Sequence, residues 1–432
     1  MKRAIAILLL FCAARAGADE PKRPVPDYDG RGDPPTTAGD VLIWVPRVAV
    51  SPLYLVSEFV VRRPMGFLVE TAERHHWVEN LLDYLDGPIG IVPTALIDTA
   101  ARPTVGFYFF WNDVGAPGNQ IRSTASFGPE VISAVLLDRF NIPDTAWQLA
   151  VRGAISRRDD ALFYGTGPMV HFDDPTRYED HRLEGSIAAA VGFAGLSSLR
   201  IEVGVRSVRL GDGDCCGDPS IDEGVTRGLF PAPPGFAERG YSGPFSRVRI
   251  VLDGRPEAPA TGVALAVEGE QGSDPSTDRV WLRAGADLSG SLELGKPRRV
   301  GSLILHAALA EPLEGADVPF TELVTLGGSG PLPGFGAGRL LGRSAVAATL
   351  QYEWPVWAFL TGVAQVGAGN VFDEHFDGLE LGRMRGSAGM GVRSVGLGDH
   401  RFEMLIALGT KPFDDGFSID TVRFQIGGVI GF

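Results

Sequence analysis

Cysteine is almost missing from this chain. Its 432 residues hold three, Cys12, Cys215 and Cys216. Adjacent cysteines cannot staple distant segments, so no disulfide framework holds the fold; Cys215 and Cys216 either close a local ring or stay as thiols. Long apolar runs are missing too. After residue 14 no stretch approaches the roughly 20 residues that a membrane-crossing helix needs. Positive charge is in deficit: a net charge of −14 argues against nucleic-acid binding through general phosphate contacts. Catalytic motifs are also wanting. No Gly-x-Ser-x-Gly stands beside a suitable His and acid, no cofactor is called for, and no enzyme is expected.

What is present begins with an export pattern. Lys2 and Arg3 precede an apolar stretch from Ala4 to Ala14, and Ala16-Gly17-Ala18 fits small-x-small cleavage. Residues 1–18 therefore read as a signal peptide, whose removal takes three cations and moves the charge to −17. Residues 19–40, rich in Pro, Gly and Asp, read as a disordered linker. Residues 41–100 read as a periplasmic helical segment of two short amphipathic helices, the first opening at Ser51-Pro52. His75 and His76 lie there, and neighbours on a helix point to different sides, which suits a surface pair better than a metal site.

From Thr104 the hydrophobic period changes to two. Leu199, Ile201, Val203 and Val205 alternate with Arg200, Glu202 and Gly204; Val248, Ile250 and Leu252 alternate with Arg247 and Arg249. Phe402, Met404 and Ile406 oppose Arg401 and Glu403; Val422, Phe424 and Ile426 oppose Arg423 and Gln425. With 44% hydrophobic residues and 57 glycines, this pattern predicts an all-β transmembrane barrel over 101–432. Lipid lies outside and a polar lumen within. Sixteen antiparallel strands are expected, starting near Thr104, Ile121, Val131, Thr145, Arg157, Glu179, Ser198, Ser246, Ala260, Asp278, Val300, Ser344, Trp357, Arg385, Arg401 and Thr421. Short periplasmic turns are expected at Gly128-Pro129, Gly195, Gly254-Arg255-Pro256, Pro355 and Gly396–Gly398. Long outer loops are expected around Gly211–Pro244, Glu311–Leu341 and Asn370–Arg383. The connection between the third and fourth expected strands is short where a loop should be long. Phe432 ends an alternating strand, as a barrel-targeting signal does.

Two further expectations concern charge. Arg200, Arg206, Arg247, Arg249, Arg279, Arg283, Arg401 and Arg423 share the inner faces with fewer acids, Glu202, Asp253, Asp287, Glu353 and Glu403. This predicts either a basic, anion-favouring lumen or arginines neutralised against a folded-in loop. Asp212, Asp214, Gly217 and Glu223 match calcium-loop spacing, with Asp218 between, although Cys216 occupies a ligand position. A solvated acidic loop is the stronger reading, and no metal is expected.

The C-terminal third carries a resemblance. Gly327-Gly328, Gly334-Phe335, Gly338-Arg339-Leu340 and Gly342-Arg343 precede a strand ending Tyr352-Glu353-Trp354-Pro355. Gly369-Asn370-Val371-Phe372-Asp373 and Gly386 to Arg393 follow. These motifs resemble the barrel of the bacterial surface-antigen (BamA/TamA) superfamily, clearly from about Thr325 to Phe432. The resemblance implies sixteen strands, with a sixth outer loop, here Glu311–Leu341, folded into the lumen. It implies a role in inserting or translocating protein or lipid. Its partners would be outer-membrane lipids, the barrel-assembly machinery during insertion, and a periplasmic partner or a second copy. In the family an Arg before Gly-Phe reaches an acid on the wall; here those positions are Pro333 and Gly367, so both partners change together. Arg339 or Arg343 would substitute, with Glu353 as wall partner and Arg423 also facing the loop. The usual periplasmic domains are missing from the space before the barrel. A small-solute pore with a basic lumen is the alternative function.

Overall fold

The computed structural model describes Thr71, Arg74, Tyr84 and residues 87–430, except 130, 171–174, 214, 256–259, 296–297, 315–316, 358–359 and 395–399. The chain divides into two units, Met1–Asp83 and Tyr84–Phe432. Of the first unit only Thr71 and Arg74, both helical, are described. The signal, the linker, most of the helical segment with His75 and His76, and Phe432 lie outside the described residues.

The second unit is a closed antiparallel barrel of sixteen strands. In chain order they are β1 (Ile89–Asp98), β2 (Ala101–Asn112), β3 (Gln120–Gly128), β4 (Val131–Asn141), β5 (Trp147–Phe163), β6 (Thr176–Ala194), β7 (Ser197–Asp212), β8 (Gly240–Asp253), β9 (Gly262–Asp274), β10 (Arg279–Glu293) and β11 (Val300–Glu314). Two short strands follow inside a loop, β12 (Val324–Leu326) and β13 (Leu340–Gly342), paired with each other. The wall resumes with β14 (Ser344–Trp357), β15 (Leu360–Phe372), β16 (Arg385–Ser394), β17 (His400–Pro412) and β18 (Ile419–Ile430), which returns to β1.

Alternation places the side chains as the period of two requires. Val203 and Val205 on β7, Ile187 on β6 and Val422 on β18 face outward, each more than half exposed. Their alternates Glu202, Arg206, Ser186 and Arg423 are buried in the lumen. An outward apolar face around the whole wall has a stable environment only in hydrocarbon, and closure leaves no unpaired edge around most of the circumference. Among the described residues no helix is long and apolar enough to cross a membrane. The protein is an outer-membrane barrel.

Sixteen strands were expected, but two errors cancel in that count. The sequence pattern assigns Ile89–Asp98 to the helical segment and divides Trp147–Phe163 into two strands beginning at Thr145 and Arg157, whereas the structure makes the first a wall strand and the second one continuous strand. The apolar run Ile89-Gly-Ile-Val-Pro hides its alternation, yet Ile89, Ile91 and Ile97 are exposed outward while Gly90 is buried. The barrel thus begins before residue 101. The first connections change ends accordingly. The Gly128–Val131 turn joins β3 to β4 at the end bearing the long loops, not with the short turns. The short 142–146 connection joins β4 to β5 at the turn end. The short connection that broke the expected pattern is therefore an ordinary turn. Pro355 lies within β14 rather than in a turn. From β6 onward the expected phase stands: 213–239, 315–343 and 373–384 are long connections at one end.

Strand lengths are uneven. β5, β6 and β7 have 17, 19 and 16 residues, whereas β1 has 10 and β3 has 9. One side of the barrel rises well above the other.

Candidate functional site: the loop across the lumen

The segment 315–343 is the sixth loop-end connection. The sequence makes it a small folded unit rather than a flexible link. Phe320–Glu322 form a 3-10 turn, and β12 and β13 pair Val324 with Gly342 and Leu326 with Leu340. Gly327 N donates to Pro331 O (2.8 Å) and Gly328 N to Phe335 O (2.8 Å). Val318, Phe320, Leu323, Leu326, Leu332, Phe335 and Leu340 are buried in one apolar cluster with Phe163 of β5, Val208 of β7, Trp281 of β10 and Ala345 of β14. The barrel interior at the loop end is therefore a protein core, with Phe320 edge-on to Phe163 and Tyr178 at 5.3 and 5.1 Å.

At one side the loop delivers an acid to a set of wall cations. Glu322 is fully buried. One of its carboxylate oxygens lies 2.9 Å from Arg206 of β7 and 3.4 Å from Arg283 of β10. The other lies 3.4 Å from Arg182 of β6 and accepts a hydrogen bond from Tyr241 of β8. Arg206 also donates to Glu184 and Glu270 at 2.9 Å each and sits 4.7 Å over the Phe245 ring. Arg247 pairs with Glu270 and, at 3.5 Å, with Glu202; Arg200 meets Glu202 at 3.3 Å; Arg249 meets Glu268 at 3.0 Å; Arg152 meets Glu184 at 2.5 Å. The buried members, Glu184, Glu202, Arg206, Glu270 and Glu322, persist without water because each is both paired and hydrogen-bonded.

At the other side the tip is clasped by the wall. Gly334 N donates to Ser387 Oγ of β16 (2.9 Å), and Gly334 O accepts from Thr421 of β18 (2.6 Å). A Cβ at Gly334 would stand 2.1 Å from the Leu408 carbonyl oxygen, so only glycine allows this approach. Arg423 of β18 donates to Gly328 O (2.5 Å) and Pro333 O (3.2 Å), and to Asp98 of β1 (2.6 Å).

The expected substitute lock is not what forms. Arg339 stacks over Tyr164 at 5.2 Å, where burial holds the Tyr164 hydroxyl above its ordinary range. Arg343 pairs with Glu311 and Glu374 at the base of the loop. Glu353 lies 3.4 Å from Arg393. Gly367 pairs across strands with Ser387, one strand from the tip. A Cβ there would fall 2.8 Å from both the Ala348 carbonyl oxygen and Thr349 Oγ1, so this wall position has no room for an acid. The loop is instead held with the polarity reversed: it supplies an acid and carbonyls, and the wall supplies arginines.

The bare basic lumen is likewise corrected, because Arg200, Arg206, Arg247, Arg249 and Arg283 all meet carboxylates. Arg279 reaches Glu238 at 2.7 Å, a hydrogen bond that holds the Glu238 carboxyl below its usual range. Asp253 binds Arg255 (2.6 Å) and Asp287 binds His306 (2.7 Å). The side chain of Arg401 lies outside the described residues. Glu184, Glu268, Glu270, Glu322 and Asp98 were missed. The Glu268-Gly269-Glu270 alternation could have shown two of them, whereas Glu322 lies in a loop with no period to read.

The residues of the calcium-like spacing turn to separate partners. Asp212 turns to Arg239 (3.3 Å) and Asp218 to Arg177 (2.8 Å), while Glu223 lies in a short helix, α1 (Ile221–Thr226), capped by Ser220. Asp214 lies outside the described residues. Cys215 and Cys216 are joined in a disulfide, and Arg102 Nε donates to Cys215 Sγ at 3.2 Å.

A sixteen-stranded barrel with its sixth loop bonded across the lumen defines the class of the fold, that of a BamA-type barrel. Among solved structures the chain is similar to BamA from Haemophilus ducreyi lacking POTRA domains 1-3, with a TM-score of 0.55 at 15% identity over 79% of this chain and 70% of that one. CdiB from Acinetobacter baumannii gives 0.47 at 10% identity, covering 79% and 59% of the two chains; CdiB from Escherichia coli gives 0.49 at 11%, covering 79% and 63%. No family model and no curated protein matches the sequence.

Proposed function

We propose that this protein assists the insertion or translocation of protein or lipid at the outer membrane, and that its β1–β18 seam is where a client strand engages. The observation that carries this is the seam. Among the described residues only Leu96, Ile97 and Asp98 pair with Gly427, Ile426 and Gln425, whereas every other neighbouring pair of wall strands is registered over eight or more positions. Thr99 adds two bonds to Phe424. Among the described residues, 89–95 of β1 have β2 as their one strand partner, and the Tyr84 hydroxyl bridges Ile91 N (2.6 Å) and Ile91 O (3.0 Å). That stretch includes Pro93, a residue suited to an edge because it cannot donate to a second ladder. Gly427 has φ +148°, and a Cβ there would stand 1.9 Å from the Ala95 carbonyl oxygen, so β18 turns at the point where pairing ends. An edge without a full partner strand is a template for another strand, which here would displace the Tyr84 hydroxyl from Ile91.

The similarity to BamA supports this reading, and so does the loop that fills the lumen, which suits a solute pore poorly. The test is insertion of an unfolded barrel client into liposomes. Cysteines at Ile97 and Ile426, which face each other across the seam, should stop the acceleration when oxidised and restore it when reduced. A barrel locked in this way that still accelerates insertion as well as the parent would overturn the proposal. Large, steady single-channel conductance without client acceleration would favour the pore.

A further inference from the structure

We propose that the outer wall of β5–β8 binds a phosphorylated, multi-acyl glycolipid of the outer leaflet. The site rests on the long-loop end facing that leaflet, and it is independent of the seam. The cross-strand register stacks four outward rows of side chains. Nearest the membrane centre lie Val151, Ile187, Val203, Ser246 and Gln271. Above them come Gly153, Gly185, Val205 and Pro244, then Ile155, Leu183, Ser207 and Ser242. The fourth row is Arg157, His181 and Arg209, ending at Gly240. Rows two residues apart rise roughly 6–7 Å along the strand, so the cationic row stands some 13 Å above the glycine pair.

Each level has the chemistry of one part of such a lipid. Gly153 and Gly185 face each other across β5 and β6, and a Cβ on either would meet nothing within 4 Å. Gly185 of this pair lines an open groove of about 720 Å³ that continues between Val151, Ile187, Val203, Val205 and Ser246. Its walls are continuous with the lipid-facing belt, since Val151, Ile187, Val203 and Val205 are all exposed outward. Ser207 and Ser242, hydrogen-bonded at 2.7 Å on this outward face, supply hydroxyls at the level of ester and sugar groups. In the top row Arg209 is exposed and makes no ion pair among the described residues, Arg157 is half exposed, and His181 stands between them in register. Glu179 binds Arg157 at 2.9 Å and His181 at 2.8 Å, which orders that pair and leaves the Arg209 charge uncompensated. Guanidiniums above an apolar groove match a phosphate above acyl chains, since Arg binds phosphate through parallel N–H donors.

The experiment is native mass spectrometry of the full-length barrel, delipidated in detergent and titrated with lipid A, with lipid A stripped of its phosphates, and with phosphatidylglycerol. The parent should retain lipid A and lose at least tenfold in retention when the phosphates are removed. Arg157→Gln with Arg209→Gln should cause the same loss, while Gly185→Leu, which fills the groove and leaves the arginines in place, should weaken both glycolipids equally. Folding of each variant is read separately from heat-modifiable gel migration. Equal retention of lipid A by the parent and the double arginine variant would overturn the proposal. So would phosphatidylglycerol binding as tightly as lipid A.

Discussion

Arg423 and Asp98 form an ion pair at 2.6 Å across the β1–β18 seam, and the same guanidinium donates to Gly328 O and Pro333 O of the lumen loop. One side chain therefore joins the weakest line of the wall to the plug inside it. Both partners are nearly buried, so removing one leaves the other as a desolvated charge, at a cost of about 3–5 kcal/mol. Arg423→Ala should lower the temperature at which the folded band disappears on gels and should speed seam exchange. Asp98→Asn should do so less, because the two carbonyl bonds survive. If Arg423→Ala melted as the parent does, the coupling would be absent.

Glu322 is the converse case, an acid on the loop among wall cations. Glu322→Ala strands Arg182, Arg206 and Arg283 near one another and should destabilise by about 3 kcal/mol or more. Replacing Glu322 and Arg206 together with Leu should recover part of that loss, since a buried pair exchanged for apolar groups is often close to neutral. Denaturant unfolding in detergent, followed by tryptophan fluorescence, would report both through Trp281. A double variant no better than the single would show that the two residues are not energetically coupled.

Pro333→Arg brings a second cation beside Arg423 and should destabilise. Gly367→Asp does not provide the compensating acid, because its Cβ meets the Ala348 carbonyl. The double variant should therefore be no more heat-stable than Pro333→Arg. Recovery in the double would mean that the wall at β15 yields more than its packing suggests.

Topology can be read on intact cells. Epitope tags within 213–239 and at Pro129 should be reached by antibody from outside, whereas tags at Gly254 or within 142–146 should not. Pro129 is the discriminating position: protection there would mean that β1 does not belong to the wall.

Much of this architecture was legible in the sequence, and the reasons are local. Where a strand is apolar on one face and charged on the other, as in β7 or β18, period and environment agree. Ile89–Asp98 was misread because an edge strand beside a helical segment shows neither charge alternation nor bounding turns. β5 was divided because its outward apolar row ends at Ile155 and turns to charge at Arg157. The loop's place in the lumen was implied by the family resemblance that its glycine motifs carry. Its fastening was not, because Glu322 meets residues more than a hundred positions away on two of its four contacts and 81 positions away on a third. Pairing of that kind has no signature along the chain.

The loop fastening has a mechanical consequence. A ring without internal bracing deforms evenly into an ellipse. This one carries a strut, fixed through Glu322 to the β6–β10 arc and through Gly334 and Arg423 to β16–β18. Bending is then opposed across the braced diameter and left to the arc away from it, in which the β1–β18 seam is the line with the fewest strand pairs among the described residues. Strain applied anywhere on the rim is delivered to one line in the wall, so the compliance of the whole barrel has a direction.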